Sequence, residues 1–182
     1  MSRRPRTIKE LQNAAEQVSY ETDMLGYSAE HLGGWYSSPM AYPEGNEKKM
    51  ALESFLLHFR NLRAFLCPSI QRQTDDDVLA SDFLGKYDGS DVGDRDKLNV
   101  DKERLDKMLA HVSYSRFDYI EAGDHWWDSS VMLILMLSEL RKFLVRLPEQ
   151  QRAWFPVAES LNERQHRAQT EVDQRGSTKA GL

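Results

Sequence analysis

The sequence predicts an all-α protein with the architecture of a four-helix-type bundle, and three observations carry that expectation. Apolar residues recur at helical spacing through several long segments, and no segment alternates with the period of two that a strand needs. The helical segments also end at glycine or proline, namely Gly33-Gly34, Pro68 and Pro148. A chain of 182 residues fits one domain that buries roughly 70% of its unfolded surface, so its core needs no staple. Its one cysteine, Cys67, excludes an internal disulfide framework and a multi-cysteine zinc site.

The first helix is expected from Thr7 to His31. Thr7 and Glu10 stand three apart as a capping box, and Ile8, Leu11, Ala15, Val18 and Leu25 recur on one face. Trp35 to Gly45, with Pro39 and Pro43, is a loop packed on the bundle. The second helix runs from about Glu47 to Leu66 on the stripe Leu52, Phe55, Phe59, Leu62 and Leu66, and Pro68 stops it. Asp75 to Leu84 is expected as a short helix with Val78, Leu79, Phe83 and Leu84 as its apolar face. Gly85 to Asp96 is a long acidic loop. The third helix of the bundle spans about Val100 to Val112, with Leu105, Met108, Leu109 and Val112 inward.

The fourth, from about His125 to Leu147, is the most apolar, and a short amphipathic piece, Glu149 to Phe155, caps the bundle. The expected organisation is a helical domain over 1–155 and a polar, flexible tail over 156–182, where Val157, Leu161 and Val172 are the large aliphatics.

Charge narrows the function classes. With 24 Lys plus Arg against 29 Asp plus Glu, the chain has no broad nucleic-acid-coating surface. The stretch Asp75 to Lys107 holds eleven acids and six bases, and the remainder is balanced, which leaves room for a local basic site. The longest apolar run, Val131 to Leu137, has seven residues, against the ~20 of a membrane helix. The basic start, Arg3-Arg4-Pro5-Arg6, is followed by Thr7-Ile8-Lys9-Glu10 rather than an apolar core. A cytoplasmic protein without membrane contact is the expectation.

The stretch Glu103 to Arg116 carries the candidate chemistry. Arg104 and His111 are seven apart, so on a helix they share a face within about 20° and stand roughly 10 Å apart along the axis. A guanidinium can hold two phosphate oxygens while an imidazole transfers protons near neutral pH, a pairing suited to a phosphodiester. Lys107, one turn before His111, adds charge to that face. The structural alternative is a histidine placed by the helix dipole and an arginine paired to nearby acids.

Beyond this pair, three segments resemble the HEPN superfamily of helical bundles, in particular a group of uncharacterised bacterial members. They are Leu52 to Leu62 (LESFLLHFRNL), Asp76 to Phe83 (DDVLASDF) and Leu105 to Tyr114 (LDKMLAHVSY). The superfamily signature is Arg, four to six residues, then His, and Arg104-x6-His111 is similar to its longest form. The resemblance spans about Lys49 to Leu147. It implies a HEPN-like bundle and metal-independent RNA cleavage, in which the 2′-hydroxyl attacks the adjacent phosphorus in a cleft shared by two protomers. It further implies a homodimer, an RNA substrate, and the setting of toxin–antitoxin or phage-defence systems, with an antitoxin protein as partner. Carried over, Arg104 stabilises the phosphate and His111 transfers a proton or positions the phosphate. The sequence departs from the pattern where Leu105 follows Arg104, a position often polar, and where Ser113 precedes Tyr114; some toxin members carry Tyr two residues after the His.

Further supporting or RNA-binding candidates are Tyr114, Arg116, His58, Arg60 and Asn61. His58, at the edge of the second helix's core stripe, either orients His111 across the bundle or is buried, with His58 and Asn61 satisfying each other and the facing helix. Arg60 and Asn61 either contact phosphate or, for Arg60, pair with Glu53 or the acidic loop. Arg104 and Arg116 both remain candidates to accompany His111.

No metal or cofactor is expected. From Asp88 the calcium-loop spacing fails at Val92 and Asn99, and His31, His125 and His166 are scattered. Trp126-Trp127 read as packing anchors, with base stacking as the alternative. The apolar run Val131 to Leu137 suggests a central helix or one covered by a second copy. The competing function class is a non-catalytic helical interaction protein that binds a protein partner through its acidic loop and tail.

Overall fold

A computed structural model describes residues 4–32, 45–68, 74–84 and 127–158, together with positions 98, 105, 109, 121, 160, 161, 163, 166, 169, 170 and 173. Among the described residues all regular structure is helical and no strand occurs. The elements are α1 (Ile8–Leu32), α2 (Asn46–Leu66), α3 (Ala80–Leu84), α4 (Ser129–Arg146), α5 (Glu149–Arg152) and a 3₁₀ turn (Pro156–Ala158).

The start of α1 is the expected capping box. The Glu10 amide donates to Thr7 Oγ1 at 3.2 Å, and the Thr7 amide donates back to Glu10 Oε2 at 2.8 Å, satisfying two of the donors a helix start leaves free. Val18, Leu25 and Leu32 line its buried face beside the small residues Ala15, Ser19, Thr22, Gly26 and Ser28, which let a neighbour approach closely. The α2 stripe is as expected, with Leu52, Phe55, Phe59, Leu62 and Leu66 all buried. Glu21 of α1 meets His58 and Asn61 of α2, and Ser28 meets Ser54; rising numbers on one helix face falling numbers on the other, so the two run antiparallel. Helix α4 packs on both, and the core draws on all three together with Phe83, Leu98, Leu105, Trp127, Phe155, Val157 and Leu161.

An aromatic cluster closes one end. Phe143 meets Phe65, Phe83 and Phe155 at ring-centroid distances of 5.1, 5.9 and 5.6 Å with steep interplanar angles, the edge-to-face geometry that aligns ring quadrupoles. Arg152 fastens this end: its Nε donates to the Leu144 carbonyl at 3.0 Å, and its Nη2 to those of Val145 and Leu147 at 3.3 and 3.1 Å. One side chain thereby occupies three carbonyls at the end of α4.

Two expected helix starts are corrected. The segment from Asp75 does not begin a helix; 75–79 is turn and irregular backbone, and α3 starts at Ala80. Asp77 accepts from the Thr74 amide at 2.6 Å and Asp82 from the Leu79 amide at 3.0 Å, so aspartate side chains capture the amides locally and delay the helix. Val78, expected on the apolar face, is exposed. Helix α4 begins at Ser129 rather than His125, because Asp128 caps it by accepting from the Val131 amide at 3.0 Å. Val157 and Leu161, in the segment expected as a tail, are buried in the core.

The third bundle helix expected at 100–112, the loop over 35–44 and the acidic loop at 85–96 fall outside the described residues, apart from Leu105 and Leu109. Both are helical; Leu105 is buried and Leu109 packs against the core. Of the apolar run in α4, Leu133, Met136 and Leu137 are buried, Met132, Ile134 and Leu135 are half-buried, and Val131 is exposed. Trp127 is buried as a packing anchor, while Trp126 is outside the described residues. No described helix is long and apolar enough to cross a membrane.

Candidate functional site

The described polar site lies between α1 and α2, and the helical registers explain it. Glu21 stands three residues after Val18 and four before Leu25, and His58 three after Phe55 and four before Leu62. Both therefore occupy inward-facing positions otherwise held by aliphatic and aromatic residues. A carboxylate and an imidazole turned toward an apolar seam stay there only if they satisfy each other.

They do. His58 Nδ1 lies 2.7 Å from Glu21 Oε2, with side chains 9% and 15% exposed. Asn61 Nδ2 donates to that same oxygen at 3.0 Å. The Tyr20 ring meets the imidazole edge-on at 5.9 Å between centroids. Farther along the seam Ser28 and Ser54 hydroxyls bond at 2.8 Å. A carboxylate oxygen accepts, so an Nδ1–H directed at Glu21 orients the ring, the arrangement by which carboxylates position histidines.

Of the two readings of His58, the buried histidine satisfied by the facing helix is the one observed, except in one respect. His58 and Asn61 do not satisfy each other; both are satisfied by Glu21. Asn61, expected as a phosphate contact, has its amide committed to that carboxylate. Arg60 is half-buried. Glu21 and Tyr20 were absent from the candidate residues, although a glutamate on an inward helical position is the signal that marks a buried pair.

The remaining candidates, Arg104, Lys107, His111, Tyr114 and Arg116, lie outside the described residues. His31 and His166 are exposed, and the former bonds within α1 to the Tyr27 carbonyl at 2.9 Å. No group of three or more His, Cys, Asp or Glu among the described residues is placed to hold a metal ion.

A second buried carboxylate sits on α4. Glu139 is 4% exposed. Its Oε1 takes a 2.6 Å bond from Lys142 Nζ, and its Oε2 is buried with no hydrogen-bond partner.

No family model matches the chain, and no curated protein or solved structure matches it.

Proposed function

We propose that the chain is a HEPN-like four-helix bundle that cleaves RNA without a metal, with Arg104 holding the scissile phosphate and His111 moving the proton. The reading rests on the three ordered segments that resemble that superfamily, and the observation that carries it is the burial of Leu105. That residue follows Arg104 directly, is helical and is sunk in the core. Leu109, one turn later, packs on the same core. These are the inward positions that the signature segment needs if its Arg and His are to share an outward flank. In this reading the working unit is a homodimer in the cytoplasm, its activity is of toxin or phage-defence type, and an antitoxin protein restrains it. Family analogy supplies the chemical step, because a helical bundle alone specifies none.

The test is induced expression in a bacterium of the wild type beside His111→Ala and Arg104→Ala, with circular dichroism to establish that both variants fold. Growth arrest and fragmented total RNA with the wild type, and neither with the variants, support the nuclease. Intact RNA and unimpaired growth with all three favour the other class, a non-catalytic helical protein that binds a protein partner.

A further inference from the structure

We propose that residues 4–7 form an electrostatic strap that pins the aspartate turn at 74–79 against the start of α1 and that ionic competition releases. The strap joins two features that stand far apart in the sequence, the basic start of the chain and the first acids of its acidic stretch.

Arg6 reaches across 69 positions to donate from Nη2 to the backbone carbonyl of Asp75. Arg4 is folded back on α1, its Nη2 and Nη1 donating to Glu10 Oε1 and Oε2 at 2.5 and 3.2 Å, and Asp75 and Asp76 attract it as well. Glu10 is thus shared: the oxygen that caps Thr7 also anchors Arg4. Between strap and turn lies a cleft of about 180 Å³, lined by Leu11, Ala14 and Phe83 as well as by the charged groups.

The turn is braced by its own aspartates, Asp77 on the Thr74 amide and Asp82 on the Leu79 amide. It leads directly into α3, whose Phe83 ring packs against Phe65, Phe143 and Phe155. One end of the unit is therefore held by apolar contacts, which salt does not weaken. The other end is held by Arg6 on the Asp75 carbonyl and by the attraction of Arg4 for Asp75 and Asp76; the Arg4 side chain is more than half exposed, and attraction between exposed charges is screened within about 10 Å at 0.1 M salt and about 3 Å at 1 M. Ionic strength therefore acts on the charged end of the unit and not on its apolar end.

Hydrogen exchange read by mass spectrometry over the peptide 75–84 tests this, using the full chain, an Arg4→Ala/Arg6→Ala double variant, and Lys9→Ala as a control for loss of a nearby exposed charge. The expected result is exchange about three- to tenfold faster in the double variant, the range that weak exposed ion pairs support. Exchange over 55–66 and in Lys9→Ala should be unchanged. Raising sodium chloride from about 0.05 to 1 M should speed the wild-type peptide similarly and leave the double variant indifferent. Equal protection in wild type and double variant, a salt response that survives the double substitution, or an equal gain with Lys9→Ala each overturns the strap.

Discussion

His58 Nδ1 lies 2.7 Å from Glu21 Oε2, and Asn61 gives the same oxygen a second donor at 3.0 Å. The contact spans 37 positions and ties α1 to α2. Truncating either partner strands the other in a seam that water reaches poorly, and an unsatisfied group costs more than the bond itself contributes. Glu21→Ala and His58→Ala should each lose about 1–3 kcal/mol in urea denaturation. The double variant should lose less than their sum, a coupling of about 0.5–3 kcal/mol. Additive losses would mean that the two side chains act independently.

Arg152 gives the clearest test of the closed end. Arg152→Ala frees the carbonyls of Leu144, Val145 and Leu147 and should cost about 1.5–3 kcal/mol, the range for hydrogen bonds to a charged group. Arg152→Lys should recover less than half, since a single ammonium lacks the planar fork that spans several carbonyls. Equal stability of wild type and Arg152→Ala would remove the cap from the account.

Glu139 works in the other direction. Its buried Oε2 has no hydrogen-bond partner, and Lys142, half of whose side chain is exposed, is readily hydrated without it. A buried polar atom without a partner carries a desolvation cost that an apolar side chain of similar size does not. Glu139→Leu should raise stability by about 1 kcal/mol in thermal unfolding, and a clear loss would show that the carboxylate has a donor that the ground-state geometry does not reveal.

The start of α1 predicts a pH response. Hydrogen bonds from Arg4, then from the Thr7 amide and the Thr7 hydroxyl, hold the Glu10 carboxyl down at about 2 from its ordinary 4.5. A carboxyl lowered on folding contributes stability above its unfolded value and loses it as pH falls through its folded one. The contribution of Glu10 should therefore be complete above about 4.5 and fade toward 2. A carboxyl titration by NMR should place its midpoint near the lower value in the wild type and move it upward in Arg4→Ala. An ordinary glutamate midpoint in the wild type would refute both contacts.

Much of the helical frame was legible in the residues. The Thr7–Glu10 box, the α2 stripe from Leu52 to Leu66, and the stops at Pro68 and Pro148 rest on local rules of capping and periodicity that packing did not override. Where aspartate side chains compete for backbone amides, the periodicity misled, as at Val78, and a cap at Asp128 outweighed the apolar pattern before it. The polar site was half legible: His58 and Asn61 stood out on one helix, but their common partner lies on another, and spacing along a chain does not say which helices touch. The inward register of Glu21 was the available clue. Arg104 and His111 were legible as a motif only, the described part of their segment being Leu105 and Leu109.

The Ser28–Ser54 and Glu21–His58 contacts lie 2.8 and 2.7 Å apart at two points along one helix pair. A slide of one helical turn shifts every facing residue by about 5.4 Å, which would set Glu21 and His58 against aliphatic side chains and break both ties at once. The pair therefore works as a two-toothed key: apolar residues make the helices adhere at many offsets, and the polar contacts admit one. The connection between Leu32 and Asn46 is thereby relieved of setting the alignment, and insertions of several residues there should leave the mating of α1 and α2 unchanged, each doubling of loop length costing only about 0.6 kcal/mol.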